Sequence, residues 1–360
     1  MTEKALKLLF MSTPVGPIGS GLGGGVELAL FNITKVLRGR GHEIRVVAPQ
    51  GSKLDSISMV EIPGQLQPTA QNTERNSPII LPENSVLEQM WEYGRQVQND
   101  YDAIVNFAFD WLPFYLTPFF RTPIAHYVSM CSLISALDRV ICAVMKQYPG
   151  TVRFTTQTQA TTFNCGEGKS PTFPDGLEIS RYQFCEKPDR ELAWMGRISP
   201  EKGLEDGVEA AQKTGIPLVI FGKIQDENYW QKILETYPDA PVNYVGFLDT
   251  DRLQERLRHC RGLLMTHRWV EAFGNVAVEA LACGVPVIAY RRGGPAEIVR
   301  HGETGWLVEP DSVEGLIEAI ANLDQIDRKK CRQQAEMEYS LEVFGDRIER
   351  WLFQVRDTRS

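Results

Sequence analysis

The feature that most limits the fold of this sequence is an alternation of short apolar runs with helix-period segments that occurs twice along the chain. Residues 6–11 are an apolar, strand-like run, and 12–25 are a Gly/Pro-rich loop. Val26, Ala29, Leu30, Ile33, Val36 and Leu37 then recur at helical spacing until Gly41. Residues 44–48 form the next strand, closed by Pro49. A β-loop-α-β order of this kind opens a doubly wound parallel sheet. Residues 103–107 and 124–129 continue it, with 152–156 a further candidate strand. Residues 164–174 are polar, rich in Gly and Pro and without periodicity, as a linker would be. The alternation then restarts. Strands are predicted at 192–195, 218–221, 242–246, 263–266 and 285–290, and helices at 205–214, 229–235, 253–259 and 276–283. The pattern predicts an α/β chain with two Rossmann-like halves. Open α/β sheets bind ligands beyond the carboxyl ends of their strands, so two facing sheets would hold one in the cleft between them.

Length and composition narrow the function classes. The 360 residues suit two domains better than one core. Lys and Arg number 38 against 46 Asp and Glu, a net charge of -8 that argues against a nucleic-acid footprint and against docking on anionic lipid. The 7 cysteines form no C-x-x-C pair, which argues against a zinc knuckle or a redox dithiol. Scattered in this way, they are expected to be reduced thiols. The first ten residues lack the apolar region of a signal peptide. The apolar stretch 106–120 is too short to span a bilayer and is broken by Asp110, Pro113 and Pro118. The expectation is a cytoplasmic protein without integral membrane association. No residue pattern points to an oligomeric state.

Three segments carry chemistry. The first is W-V-E-A-F-G-N-V-A-V-E-A-L-A-C-G, residues 269–284. Phe273, Gly274 and Asn275 precede an apolar-periodic helix, with Asn275 read as its N-cap. Backbone N–H groups and the helix dipole there favour a phosphate or a sugar hydroxyl. Glu271 in the loop and Glu279 one turn into the helix flank that terminus, and carboxylates accept from vicinal hydroxyls. A solvated loop Glu beside a helix Glu is the plainer reading, and the surrounding frame of residues favours the functional one.

The second segment is W-M-G-R-I-S-P-E-K-G, residues 194–203. Arg197 and Lys202 project from the loop that follows a strand. Breaking a bond to a nucleoside diphosphate leaves negative charge, which preorganised cations stabilise. Arg can fork onto two phosphate oxygens, whereas Lys is a point charge. A basic surface loop is the plainer alternative.

The third segment is the glycine loop ending at Gly24 and Gly25, where backbone can approach a ligand. Gly19, Gly21 and Gly24 satisfy G-x-G-x-x-G, which raises a nicotinamide-dinucleotide oxidoreductase as an alternative. These glycines begin several residues after the strand, however. Pro49-Gln50 also stands where a ribose-binding acid is expected.

Other residues carry weaker signals. His126, near the end of the 124–129 strand, is either structural or directed at the cleft. Asp249-Thr250-Asp251 is a D-x-D read as helix capping by Asp251, so no metal site is expected. Asp110 lies among Phe107, Phe109, Trp111, Phe114, Tyr115, Phe119 and Phe120. It is either a helix N-cap or a carboxylate awaiting an acceptor substrate.

The segments G-G-V-E (24–27), G-R-I-S-P-E-K-G (196–203) and E-A-F-G-N-V-A-V-E (271–279) together resemble family-4 retaining glycosyltransferases. Residues 286–299 and 302–308 extend the resemblance. It implies a GT-B fold, two Rossmann-like doubly wound domains facing a central cleft, with a nucleotide-sugar donor and neither cofactor nor catalytic metal. It implies that Arg197 and Lys202 hold the donor diphosphate and that Glu279 binds the ribose. Glu271 would bind the sugar with backbone help from Phe273, Gly274 and Asn275. Gly24 and Gly25 would approach the diphosphate, and His126 would lie near the transferred sugar. The last helix, predicted at 343–355, would return to the first domain. The domains would then be 1–175 with 340–360 on the acceptor side, and 176–339 on the donor side.

The N-terminal half is similar to cyanobacterial UDP-glucose:tetrahydrobiopterin glucosyltransferases, on residues 12–27, 46–52 and 106–120. That similarity implies transfer of glucose from UDP-glucose to a reduced pterin, with Asp110 taking the pterin edge and Phe109 and Trp111 beside it. A lipid or oligosaccharide acceptor is the alternative within the family, and a non-catalytic sugar-binding protein is an alternative outside it.

Overall fold

The structure is a computed structural model that describes residues 4–20, 24–54, 57–166 and 170–358. Gly21 of the glycine motif and residues 167–169 of the predicted linker lie outside the described residues. The chain divides into two compact units, Met1–Gly176 with Leu341–Ser360, and Leu177–Ser340.

The first unit is a parallel sheet of β1 (Lys7–Met11), β2 (Glu43–Pro49), β3 (Ser58–Ile62), β4 (Ala103–Asn106), β5 (Ile124–Tyr127) and β6 (Val152–Arg153). Its strand order is β3-β2-β1-β4-β5-β6. Successive side chains on a strand point to opposite faces. Leu8, Phe10 and Val46 therefore pack on α1 (Gly25–Gly39), while Leu9, Met11 and Val47 pack on α2 (Val86–Val97). The strand-linking helices α3 (Trp111–Leu116) and α4 (Ser135–Gln147) cover the β5–β6 side, followed by α5 (Gln157–Thr161).

The second unit repeats the plan with β7 (Leu192–Met195), α6 (Leu204–Thr214), β8 (Leu218–Phe221), α7 (Glu227–Thr236), β9 (Val242–Gly246), α8 (Thr250–Leu257) and β10 (Gly262–Met265). It continues with α9 (Asn275–Ala282), β11 (Val287–Tyr290), α10 (Pro295–Ile298), β12 (Gly305–Val308), α11 (Val313–Ala321) and α12 (Arg328–Tyr339). Its sheet runs β12-β11-β10-β7-β8-β9. The last helix, α13 (Leu341–Asp357), belongs to the first unit and buries Phe344, Ile348, Trp351 and Leu352 in the α1 face of that sheet.

Both sheets thus reverse direction between their first and fourth strands. A crevice opens beyond the strand ends at such a reversal, which is where ligands bind in open α/β sheets. In the first unit the flanking loops follow β1 and β4, and in the second they follow β7 and β10.

One composition-based expectation is corrected. Cys142 and Cys165 are disulfide-bonded rather than reduced. The packing of α4 against the segment after α5 brings together two cysteines 23 residues apart, a proximity with no signature in their spacing. The other five cysteines, Cys131, Cys185, Cys260, Cys283 and Cys331, form no disulfide. Among the described residues, no helix is long and apolar enough to cross a membrane.

Candidate functional site

The loops after β7 and β10 are bound to one another. Trp194 Nε1 donates to Thr266 Oγ1 at 3.0 Å, and Thr266 Oγ1 donates to the Gly203 carbonyl at 2.6 Å. The Arg268 amide donates to the Glu201 carbonyl at 2.9 Å. Gly203 is left-handed, φ +63, and a Cβ there would lie 2.2 Å from the Thr266 carbonyl oxygen. Only glycine allows this approach.

The clamp places Lys202 Nζ 2.5 Å from Glu271 Oε2. Trp269 Nε1 donates to the same oxygen at 3.1 Å, and Lys202 Nζ lies 4.6 Å from the Trp269 ring centroid. Burial raises the Glu271 carboxyl, but the Lys202 ammonium, with His267 and the Trp269 N–H, outweighs it and brings the group down to about 2. Arg197 is directed elsewhere, with Nη1 2.5 Å from Gln225 Oε1 and Nη2 3.3 Å from Glu201. Lys202 and Glu271 therefore meet, while Arg197 stands at the side of the loop nearer β8.

The backbone of 271–274 is gripped by the loop after β11. Gly294 N donates to the Glu271 carbonyl at 2.7 Å. Cβ atoms at Gly293 and Gly294 would come within 2.5 Å of the Glu271 and Phe273 carbonyl oxygens, which accounts for the R-R-G-G-P sequence. Phe273 is buried, with its ring 6.1 Å from Tyr339. The N-cap of α9 is Gly274, at φ +100, and not Asn275. The left-handed glycine turns the chain into the helix one residue early, so Asn275 is the first helical residue and no side chain caps the end. That leaves the terminus with backbone donors for an anion or a hydroxyl.

Glu279 lies one turn into α9. Burial pushes its carboxyl up to about 7, against the pull of the Tyr182 hydroxyl, which donates to Oε1 at 3.1 Å. Sequence reasoning missed Tyr182, Trp269 and the Gly293-Gly294 pair. The first two touch a glutamate only through tertiary contacts. The glycines lay within the resemblance but carried no role.

His126 requires correction. It is fully buried within β5, stacked on Phe114 at 4.2 Å between ring centroids. Its Nδ1 is 3.2 Å from Asn106 Nδ2 and its Nε2 is 2.9 Å from Thr117 Oγ1, so both ring nitrogens are occupied. Burial lowers the imidazole to about 3, and the ring stays neutral. It is the penultimate residue of β5, and the first part-exposed residues beyond it are Ser129 and Met130, three and four positions on.

In the first unit, Gly24 is the left-handed N-cap of α1, with nothing within 4 Å of where its Cβ would be, and Gly25 is the first helical residue. Glu27 Oε2 accepts from the Gly19 amide at 3.0 Å and so folds the glycine loop onto the helix start. After β4, Asp110 caps α3 by accepting from the Leu112 amide at 3.4 Å, and its other oxygen accepts from Gln67 Nε2 at 3.4 Å. Burial pushes its carboxyl up to about 6. Phe107, Phe114 and Phe120 are core, whereas Phe109 and Trp111 are half-buried and Tyr115 and Phe119 are exposed. Trp111 stacks on Tyr115 at 4.3 Å.

The D-x-D segment is a helix start, but its capping residue is Asp249, which accepts from the Arg252 amide at 3.0 Å. Asp251 instead pairs with Arg181 at 2.8 Å. Among the described residues, no group of three or more His, Cys, Asp or Glu side chains could hold a metal ion.

Residues 178–338 match the family described as glycosyl transferases group 1. Glycogen synthase from Mycobacterium tuberculosis is 28% identical over 176 residues, covering 45% of this chain and 41% of that protein. The GDP-mannose-dependent monoacylated alpha-(1-6)-phosphatidylinositol monomannoside mannosyltransferase of Corynebacterium glutamicum is 29% identical over 220 residues, 52% of this chain and 57% of that one. The chain thus spans less than two thirds of the length of these relatives. Among solved structures, HepE from Anabaena in complex with UDP and glucose superposes with a TM-score of 0.76 at 19% identity, over 97% of this chain and all of that one. Sucrose-phosphate synthase from Thermosynechococcus elongatus gives 0.76 at 18% identity, over 97% and 98%. The fold is GT-B, with two Rossmann-like α/β units in one chain.

Proposed function

We propose that this protein is a metal-independent, retaining hexosyltransferase of the cytoplasm that moves glucose from UDP-glucose to a reduced pterin such as tetrahydrobiopterin. The observation that carries the transferase reading is the Lys202–Glu271 contact at the sheet reversal of the second unit, beside a helix start without a side-chain cap. Lys202 and Arg197 stabilise the leaving diphosphate, Glu279 accepts from the ribose hydroxyls, and Glu271 and the backbone of 273–275 hold the sugar. Gly24 and Gly25, at the start of α1, are the backbone positions of the first unit at which a phosphate can approach closely. The test is incubation of the protein with UDP-, ADP- and GDP-sugars and tetrahydrobiopterin, with and without a chelator, read by mass spectrometry for a hexosylated product. Product that requires added manganese overturns metal independence. Saturable NAD binding without sugar transfer overturns the reading in favour of an oxidoreductase. The names of the relatives favour a second reading, a polysaccharide or lipid acceptor, and such acceptors belong in the same screen.

Glu279 supplies a pH test. The ionised carboxylate accepts from both ribose hydroxyls, while the protonated form loses an acceptor. Because the carboxyl sits at about 7, the donor KM should rise as pH falls through that value, and Glu279→Gln should abolish this limb. A wild-type donor KM that stays flat from about pH 6 to about pH 8 removes Glu279 from the ribose.

Asp110 is the acceptor residue in this proposal. A pterin's 2-amino group and ring N–H form a two-donor edge that a carboxylate accepts bidentately, with Phe109 and Trp111 against the ring. Asparagine still caps a helix, so Asp110→Asn should fold normally. It should raise the pterin KM roughly tenfold and leave the donor KM unchanged. An unchanged pterin KM leaves Asp110 as the cap of α3 and nothing more.

A further inference from the structure

Glu271 holds one of the three N–H donors of the Lys202 ammonium at 2.5 Å, so it competes with a diphosphate for that ammonium. If it moves to the phosphate, the Glu271 carboxylate loses its cation in a site where an unpartnered charge is costly. We propose that Trp269 is the positioning residue of the donor site, holding Glu271 through its indole N–H when Lys202 passes from the carboxylate to the diphosphate. The inference rests on the donor roles given above to Lys202 and Glu271.

The geometry supports it in three ways. Trp269 Nε1 is 3.1 Å from Glu271 Oε2, the oxygen that Lys202 also uses, so one donor is already in place when the other leaves. Indole N–H only donates, which suits a carboxylate. The Lys202 ammonium lies 4.6 Å from the same indole's centroid, so its path away from Glu271 starts over an aromatic face that stabilises a cation. Neighbouring groups do not take over the role. His267 Nε2 donates to the Arg292 carbonyl at 3.1 Å, which commits that ring N–H elsewhere, and burial lowers its imidazole below the ordinary value. The Gly294 amide fixes the Glu271 main chain but not its carboxylate. The aim of the carboxylate after the exchange therefore depends on Trp269. UDP alone would draw Lys202 away, and only a sugar would exploit the aim of Glu271.

Trp269→Phe keeps a ring beneath Lys202 and removes the N–H. Calorimetry with UDP and with UDP-glucose on the full chain separates the two ligands. W269F should bind UDP within about twofold of wild type, bind UDP-glucose roughly tenfold more weakly and lose roughly tenfold to hundredfold in kcat. UDP should also change tryptophan emission in the wild type as the ammonium leaves the indole, and W269F should lose that change. Trp269→His, which retains a ring N–H, should recover most of the UDP-glucose affinity. Equal weakening of UDP and UDP-glucose in W269F overturns the proposal, as does no weakening of either, or no recovery in W269H. Wild-type protein that binds neither ligand overturns the donor-site reading itself, and the role of Trp269 with it.

Discussion

Lys202→Ala is expected to lower kcat by about 10²-fold or more, with the chain still folded, because the variant removes a cation aimed at charge that develops as the diphosphate leaves. The position of Lys202 makes the loss hard to compensate. Its loop is pinned to the exit of β10 by the Thr266 and Arg268 hydrogen bonds, so a water or another side chain would have to enter a clamped space. The variant also carries a marker of its own. In the wild type burial raises the Glu271 carboxyl, and the Lys202 ammonium, foremost among several partners, brings it down to about 2. Without that ammonium, burial is opposed only by weaker partners, and the carboxyl rises. Residual activity of the variant should therefore fall away at a higher pH on the acid side than that of the wild type. Arg197→Ala should lose turnover in the same range without this acid shift, since Arg197 bonds to Gln225 and Glu201 and not to Glu271. Steady-state kinetics across pH, with thermal unfolding as the folding control, measures both. Near-normal turnover in the two folded variants would sink the assignment of the diphosphate site.

The central strands were legible because strands covered on both faces read as continuous apolar runs. Leu8 to Met11 and Leu192 to Met195 are buried throughout. The edges were not. β3, Ser-Met-Val-Glu-Ile, is half-exposed and carries an acid, and β12 begins with a glycine and is partly exposed, so neither pattern reads as a strand. The site was legible where one loop holds the whole signal, as in 196–203 and 271–279. It was illegible where the partner is remote, since Lys202 and Glu271 are 69 residues apart and Tyr182 and Glu279 are 97 apart. His126 shows the opposite failure. Nearness to a strand's end in sequence is not exposure at that end, and the direction of the ring was set by Asn106, Thr117 and Phe114.

Gly203→Ala should be among the most damaging single changes in the second unit, and Gly215→Ala is its internal control. Both glycines are left-handed, at φ +63 and φ +64. A non-glycine residue in that region costs roughly 1–2 kcal/mol. At Gly215, which follows α6, nothing lies within 4 Å of the added methyl, so that cost is the whole effect and activity should survive. At Gly203 the methyl would meet the Thr266 carbonyl oxygen at 2.2 Å, with the Arg268 side chain at 3.3 Å. Backbone cannot yield there without parting the loops after β7 and β10. The stability loss should accordingly exceed that of the control by about 2 kcal/mol or more. The separation would also carry Lys202 away from Glu271. A displacement on the order of 1 Å at reacting groups is worth about 10²-fold in rate. Gly203→Ala should therefore lose both thermal stability and kcat, whereas Gly215→Ala loses a smaller amount of stability alone. Equal changes in Tm for the two variants, with turnover intact in both, would show that the clamp between the two loops does not hold the site together.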